Sequence, residues 1–374
     1  MKVLVHCRED ALIKSGGDYL SIKDKENILK TYGVSLKYES NPFISLKGYD
    51  LVHIHQPITN FYDIYNQYLN ALKWKKPIVM KPFYNPIIDI NYYRKHTSDR
   101  NIRILSKVFN NYFSYIKYRN ILYSIINKDI KKAIKQYPMM PIKLMRKIIK
   151  GSFCIPDSNF ELKSLSSELN IPIKNYKVVN ASLNVNKSLA DVSKEKFSSK
   201  FGISNFTLCV GRIEPIKNQI NLLRALIGTK LNVVIIGPLQ NKHPHYGSEF
   251  LKLINNNNNF YWISDMNREM LMSAFKNAKV VVLPSWTETA GMTGIEGMFF
   301  GCNIVATNRG ACSEYFGDNA LYFDPKKLLS IKQNVIKSNQ IKQNHKKLKN
   351  YIIKKFSLEK TARDLCSAYE LAIN

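Results

Sequence analysis

Short apolar runs alternate along this chain with longer mixed stretches, a pattern that predicts buried strands alternating with helices. The runs are rich in Val and Ile, and they occupy residues 3–6, 50–55, 77–80, 176–180, 207–212, 233–237, 280–285 and 303–307. Continuous apolar runs of this kind are typical of parallel strands covered on both faces. The pattern therefore predicts doubly wound α/β domains, in which ligands bind at the carboxyl ends of the strands.

The chain divides into two predicted domains, because 374 residues suffice for two sizeable cores. The first spans residues 1–187 and contains a basic helical insertion at 94–150. A polar stretch at 188–200 is predicted to be the linker, and the second domain spans 200–354. Residues 355–374 carry a closing amphipathic helix.

Composition indicates a folded protein of a reducing compartment. Hydrophobic residues make up 45% and charged residues 22% of the chain, which are values of globular proteins. The six cysteines are scattered without a C-x-x-C pair, which argues against a disulfide framework or a zinc site. With no signal peptide and no run of eighteen apolar residues, we expect a cytoplasmic chain that does not span a membrane.

The net charge of +28 narrows the possible partners to nucleic acid, an anionic membrane surface or an acidic polymer, unless it reflects only the Lys- and Asn-rich composition. No helix-turn-helix, zinc finger or RNA-binding motif supports a specific nucleic-acid partner. Residues 94–150 concentrate the charge, with fifteen Lys or Arg against two acids and with interleaved Tyr, Phe and Ile. This insertion is either a membrane-docking element or a solvated helical hairpin with an ordinary apolar core face.

Two carboxylates, Glu288 and Glu296, stand eight positions apart directly after the apolar run 280–285. The pattern predicts Glu288 in the loop after a strand and Glu296 within the next helix. The start of that helix offers backbone N–H groups and a partial positive charge, which suit a phosphate. Carboxylates accept hydrogen bonds from sugar hydroxyls, so this arrangement suits a nucleotide sugar.

A second motif, Gly211, Arg212 and Lys217, follows another predicted strand. Gly211 frees the backbone at the strand end. Arg212 can bind phosphate oxygens with two hydrogen bonds, and Lys217 can add a point charge across a turn fixed by Pro215. The alternative is that Arg212 pairs with a local carboxylate and that Lys217 is a solvated lysine.

Together these two motifs resemble the signature of retaining nucleotide-sugar glycosyltransferases of the GT-B fold, family four (glycosyl transferases group 1). The resemblance is detailed over residues 200–325 and only general before residue 185. It implies two Rossmann-like doubly wound domains that face a central cleft, with the C-terminal helix crossing back to the first domain. It also implies that Glu288 holds the donor sugar, that Glu296 holds the ribose, and that Gly291, Met292 and Thr293 offer backbone N–H groups to the donor.

In the first domain the resemblance points to a loop and two strand ends. Gly16 and Gly17 match the family's glycine pair after the first strand and would let a phosphate or acceptor approach, unless they only form a flexible loop. His53 and His55 lie on the same face of a predicted strand, where His55 is either a substrate contact or a structural histidine. Many relatives carry a His after the run 77–80, whereas this chain has Lys81, which could donate to a hydroxyl or phosphate instead.

These features predict a glycosyltransferase of the hexosyltransferase class that uses a nucleotide-diphosphate sugar and a saccharide or lipid-linked acceptor, peripheral on the inner face of the membrane. Arg212, Lys217 and Glu288 are the expected catalytic residues. The chain has no Asp-x-Asp motif, so we expect no metal and no cofactor besides the donor substrate. A sugar-nucleotide epimerase on the same fold and a non-enzymatic polyanion-binding protein remain as alternatives.

Overall fold

The computed structural model describes residues 1–8, 17–109, 111–126, 128–183, 185, 187–342 and 344–374. These residues form two compact units. The first contains Met1–Ile87, Lys107–Ser182 and Leu358–Asn374, and the second contains Ile88–Ser106 and Leu183–Ser357. Residues 88–106 therefore belong to the second unit, although their place in the sequence predicted them in the first domain.

The strands and helices of the described residues carry the following labels. The strands are β1 (Lys2–His6), β2 (Ser35–Glu39), β3 (Leu51–His55), β4 (Ile78–Lys81), β5 (Phe153–Cys154), β6 (Phe206–Val210), β7 (Val233–Ile236), β8 (Phe260–Ile263), β9 (Ala278–Leu283), β10 (Asn303–Thr307) and β11 (Ala320–Phe323). The helices up to the end of the first sheet are α1 (Gly17–Lys23), α2 (Glu26–Thr31), α3 (Phe61–Lys73), α4 (Ile87–His96), α5 (Arg100–Val108), α6 (Tyr112–Ile126), α7 (Ile130–Gln136), α8 (Pro141–Lys150) and α9 (Asn159–Leu169). The later helices are α10 (Lys187–Ala190), α11 (Glu195–Phe201), α12 (Gln219–Leu226), α13 (Pro244–Asn255), α14 (Arg268–Asn277), α15 (Met292–Phe299), α16 (Cys312–Phe316), α17 (Leu328–Gln340), α18 (His345–Phe356) and α19 (Leu358–Ile373).

The first unit is built on a parallel sheet in the order β2-β1-β3-β4-β5. Val3 and Val5 of β1 pack in one core with Leu29 of α2 and with Leu365 and Tyr369 of α19. The apolar face of α19 therefore completes this core. Residues 176–180, predicted as a strand, form only a single bridge from Tyr176 to Cys154.

The second unit has a six-stranded parallel sheet in the order β11-β10-β9-β6-β7-β8. Counted from its own first strand, this is the Rossmann order with its reversal point between β6 and β9. The predicted fold class of two doubly wound parallel-sheet domains is confirmed by the two sheets.

The polar stretch 188–200, predicted as a linker, forms helices α10 and α11 of the second unit instead. Phe197 is the reason, because its ring is fully buried and its N–H donates to Ser273 Oγ at 3.0 Å. Val192 is buried as well, so two apolar residues fix this mostly polar segment to the core.

Candidate functional site

The candidate site of the second unit lies where the sheet order reverses, at the carboxyl ends of β6 and β9. Loop 211–218 follows β6, and loop 284–291 follows β9. As predicted, Glu288 lies in the loop after a strand and Glu296 lies within the next helix, α15. The connections leave β6 and β9 in opposite directions, which opens the crevice in which such sheets bind ligands.

Lys217 and Glu288 meet in this crevice. Lys217 Nζ lies 2.7 Å from Glu288 Oε1, and the side chains are 31% and 13% exposed. Ser285 Oγ donates to the same carboxylate oxygen at 2.5 Å. Burial alone would lower the pKa of Lys217, but the charge and hydrogen bond of Glu288 outweigh burial and raise it. The lysine is therefore held as a cation beside a carboxylate that keeps one oxygen for other donors.

Backbone contacts hold the two loops together. Residues Pro215–Lys217 form a short 3-10 turn, and Asn218 follows with φ +59°. The Asn218 side-chain amide donates to the carbonyls of Pro284 and Pro325, both at 3.0 Å. Trp286 N–H donates to the Ile216 carbonyl at 2.9 Å. The contact between Lys217 and Glu288 is therefore fixed by the backbone of both loops.

A third loop supports Glu288 from behind. Ala311 N–H donates to the Glu288 carbonyl at 2.8 Å, and Gly310 bridges to Glu288. Gly310 has φ +79°, and a Cβ there would lie 2.1 Å from the Glu288 carbonyl oxygen. Only glycine satisfies both conditions.

Helix α15 begins beside the pair. Gly291 precedes it with φ +63°, and Met292 and Thr293 form its first turn. Both of these side chains are partly exposed, and the first N–H groups of a helix lack partners within it. The first turn of α15 can therefore accept an anionic group.

Glu296 lies one turn further along α15 and is buried, with its carboxylate paired to Arg268 at the start of α14. Arg212 is 62% exposed, and its guanidinium lies 2.9 Å from Glu214. The pairing of Arg212 with a local carboxylate, one of the two alternatives from the sequence, is the arrangement seen. Arg212 is still close enough for its charge to lower the pKa of Lys217 slightly against the effect of Glu288.

Sequence reasoning missed Asp89, which anchors the loop behind Glu288. Asp89 Oδ2 accepts from Gly310 N–H at 2.9 Å, and Oδ1 lies 2.9 Å from the Arg309 guanidinium. That guanidinium stacks 3.6 Å from the Tyr92 ring centre. Asp89 is buried and lies about 220 positions from its partners, so no local motif could have revealed it.

In the first unit, histidines at the end of β3 form a buried chain of hydrogen bonds. His53 Nδ1 lies 2.7 Å from Tyr369 Oη, His55 Nδ1 lies 3.2 Å from His53 Nε2, and Ser21 Oγ lies 3.1 Å from His55 Nε2. Burial, with the nearby cationic groups, holds the pKa of His53 well below its usual value. The chain therefore runs through a neutral imidazole.

Two lysines lie beside these histidines. Lys81 Nζ lies 2.7 Å from Asp157 Oδ1 and donates to the Val179 carbonyl at 2.7 Å. Lys25 donates to Ser182 Oγ at 2.9 Å, and burial followed by the charge of Lys81 lowers its pKa to about 7. His55, Lys81 and Lys25 line one small cavity of about 20 Å³. Sequence reasoning predicted His55 and Lys81 here but missed Lys25.

The glycine pair predicted in the first unit is only partly described. Gly16 lies outside the described residues, and Gly17 is the first residue of α1.

Within the described ranges, no group of three or more His, Cys, Asp or Glu could hold a metal ion.

Across the same described ranges, every helix is too short or too polar to cross a bilayer.

Comparison with known proteins finds a family similarity in the second half of the chain. Residues 191–363 match the family model of glycosyl transferases group 1, a range that contains every predicted site residue from Gly211 to Glu296. No curated protein matches the chain at a significant level.

Solved structures with low identity share the fold over the whole chain. Sucrose-phosphate synthase from Thermosynechococcus elongatus has a TM-score of 0.72 at 11% identity and covers 99% of this chain and 98% of its own. Anabaena HepE in complex with UDP has a TM-score of 0.67 at 15% identity, with 99% and 100% covered. An alpha,alpha-trehalose-phosphate synthase (UDP-forming) from Burkholderia vietnamiensis has a TM-score of 0.63 at 10% identity, with 99% and 97% covered. The chain therefore has the GT-B fold, and its residues 191–363 are similar to glycosyl transferases group 1.

Proposed function

We propose that this glycosyltransferase moves a hexosyl group from a nucleoside-diphosphate sugar to an acceptor hydroxyl with retention of anomeric configuration. One observation carries the proposal: Lys217 and Glu288, 71 positions apart, meet at 2.7 Å at the reversal point of the second sheet. A cation for a diphosphate and a carboxylate for sugar hydroxyls are thereby adjacent. Binding of UDP by the structural neighbour HepE supports a nucleotide donor.

Stabilisation of the leaving diphosphate is the main catalytic effect in this proposal. Positive charge comes from Lys217, from Arg212 and from the first turn of α15, and it lies where negative charge develops on the leaving diphosphate. This stabilisation of the leaving group needs no metal ion. Arg212 is 62% exposed and can turn from the largely buried Glu214 towards a bound diphosphate. Gly291, Met292 and Thr293 contribute backbone N–H groups.

The carboxylates orient the donor. Glu288 accepts from sugar hydroxyls while Ser285 and Lys217 fix its other oxygen. Glu296 accepts from the ribose, and Arg268 holds it in place.

Retention follows from attack on the face of the sugar that the diphosphate leaves. The acceptor oxygen bonds to the anomeric carbon as the bond to the phosphate oxygen breaks, and the departing phosphate takes the acceptor proton. No protein nucleophile takes part in this route, so the protein contributes by charge and positioning.

The acceptor in this proposal is a saccharide, lipid-linked or part of a growing surface polysaccharide, reached from the cytoplasmic face of the membrane. The basic, aromatic-rich segment 94–150 supports an anionic membrane surface as the place of reaction. His55 and Lys81 line the first-unit cavity. Together with the loop of Gly16 and Gly17, they are the proposed contacts for an acceptor or its phosphate.

A thermal-shift panel of nucleotide sugars that includes UDP-glucose tests the donor site. A ligand that binds only the folded protein raises the melting temperature. We expect one donor to raise it in the wild type and in Lys230→Ala, an exposed control, but not in Lys217→Ala or Arg212→Ala. No shift with any donor would contradict the proposal.

Turnover assays separate the alternatives. Transfer to an acceptor that persists in excess EDTA supports a metal-independent transferase. Conversion of the nucleotide sugar without acceptor would indicate an epimerase. Salt-sensitive polyanion binding with no nucleotide-sugar turnover would indicate a binding protein.

A further inference from the structure

Helices α6 and α7 of the first unit expose an unusual density of apolar side chains. The exposed hydrophobic residues lie at 118, 122, 125 and 126 in α6 and at 130, 134 and 137 in α7 and its C-cap. These spacings of one, three or four positions place each set on one side of its helix. We call this set the hairpin ridge; its members and their exposures are Tyr118 40%, Leu122 55%, Ile125 47%, Ile126 75%, Ile130 52%, Ile134 67% and Tyr137 65%.

The opposite faces of the two helices are already used for packing. Ile116 of α6 and Ala133 of α7 are buried, and Gln136 donates to Ser124 Oγ at 3.2 Å between the helices. Asn120 donates to the Thr59 carbonyl at 2.9 Å, and Lys132 pairs with Asp63 at 2.8 Å. The ridge therefore points outward from helices that are fixed to the unit.

Positive charge surrounds the ridge. Residues 107–150 contain eleven Lys or Arg and a single acid, Asp129. Arg119, Lys128, Lys131 and Lys135 are exposed next to ridge residues. The combination of Ile and Leu with Lys and Arg on one surface matches a boundary with anionic headgroups outside and acyl chains within.

We propose that the hairpin ridge docks on an anionic lipid bilayer, with its aliphatic side chains in the headgroup boundary and the surrounding lysines and arginines at lipid phosphates. This inference rests on the proposed function, since it names the element by which the transferase reaches a lipid-linked acceptor. A second copy of the chain is a poor occupant, because two surfaces of this charge repel each other. Helix α18 offers the contrast: it is also basic, but Ile353 is the large hydrophobic residue that it exposes.

Vesicle co-sedimentation of the full chain tests the proposal, with phosphatidylcholine vesicles containing 30% phosphatidylserine or none. The ridge variant carries Leu122→Ser, Ile126→Ser and Ile134→Ser. Its control carries Leu72→Ser, Leu329→Ser and Ile353→Ser at positions that are also exposed. We expect the ridge variant to bind anionic vesicles at least tenfold more weakly than wild type, and the control to bind within twofold of it.

A charge variant tests the lysines and arginines that surround the hairpin ridge. One Lys or Arg near an anionic surface strengthens binding about fivefold, so Arg119→Gln, Lys131→Gln and Lys135→Gln together are expected to weaken it about 100-fold at low salt. The same loss of charge in α18, through Lys346→Gln, Lys347→Gln and Lys354→Gln, should have a much smaller effect. Binding of the wild type should also fall as salt rises.

Three outcomes would overturn the inference: no preference of the wild type for anionic vesicles, equal binding by the ridge and control variants, or a wild-type dimer that the ridge variant converts to monomer. Thermal shift with the donor, run on every variant, separates this inference from the proposed function. A ridge variant that keeps its donor shift has a folded second unit, and an unchanged far-UV circular dichroism spectrum shows that α6 and α7 are folded as well. Its vesicle result then tests the ridge alone. Loss of the donor shift in the wild type would instead contradict the proposed function.

Discussion

The two candidate sites occupy equivalent places in their sheets, yet they treat charge differently. In the second unit, Lys217 and Arg212 are 31% and 62% exposed at the strand ends. In the first unit, Lys81 and Asp157 form a pair that is only 6% and 5% exposed, with Lys25 and two histidines buried beside it. An exposed charge can exchange its partner for a ligand at a small cost in free energy. Removal of the partner of a buried charge instead destabilises the fold.

The comparison shows that the reversal point of a doubly wound sheet determines where a ligand site lies but not which charges are available there. The second unit keeps its cations available to an anion. The first-unit site pairs Lys81 with Asp157 internally and leaves a small cavity beside them. Substitutions in the two sites should therefore separate activity from stability.

The largest effect on stability is expected from Lys81→Met. The substitution leaves the Asp157 carboxylate buried without its cation, which typically costs about 3–5 kcal/mol of unfolding free energy. Lys132→Met, which removes an exposed partner of Asp63 in the same unit, should cost about 0–1 kcal/mol. Urea unfolding of both variants makes the measurement, and equal losses would contradict the difference between buried and exposed charge.

An intermediate effect is expected from Asp89→Asn. The amide keeps the shape but removes the charge that faces Arg309 and weakens the bond from Gly310 N–H, so we expect a loss of about 1–3 kcal/mol. Because Gly310 supports the Glu288 backbone, we also expect a fall of roughly tenfold in kcat, with Asp63→Asn as the exposed control. An unchanged kcat would show that Asp89 has no part in positioning the loop.

The smallest effect, counted per pH unit, is a dependence of stability on pH that Lys25 causes. Its pKa is about 7 in the fold against 10.5 ordinarily, so between these pH values the unfolded chain binds a proton that the folded chain does not. This term makes stability rise with pH over that window, by at most about 1.4 kcal/mol per pH unit, and it is flat below pH 7. Lys25→Met should remove the slope and Lys73→Met should keep it, as measured by urea unfolding at pH 7, 8 and 9. A slope that is identical in both variants would refute the assignment.

The parts of the site that could be predicted from sequence are those that depend on neighbours in the chain. An apolar run followed by Gly211 or by Glu288 predicts a strand and the loop after it. This works because a few consecutive residues determine where a strand ends and where a helix begins. The contact between Lys217 and Glu288 could be expected from the topology of parallel sheets, since both loops leave the same edge.

The missed parts depend on distant partners. Asp89 binds residues about 220 positions away, Lys25 binds Ser182 over 157 positions, and His53 binds Tyr369 over 316. Asp89 lies in an unremarkable stretch of sequence, and its function exists only once α4 packs on the loop of Gly310. Phe197 shows the same effect in the fold. Its buried ring helps to fix as a helix a segment that was predicted to be a linker.

Helix α19 completes the core of the first unit only late in synthesis. Its Tyr369 and Leu365 fill the space beside Val3, Val5 and Leu29, yet they are synthesised after the whole second unit. At ordinary translation rates the first 182 residues wait on the order of 10–30 s for this helix, with an apolar face of their sheet uncovered. The segments of the second unit are all synthesised by Ser357, whereas the first unit lacks part of its core until residue 369 has been synthesised. We therefore expect the first unit to be the part of the chain that exposes apolar surface to chaperones during synthesis.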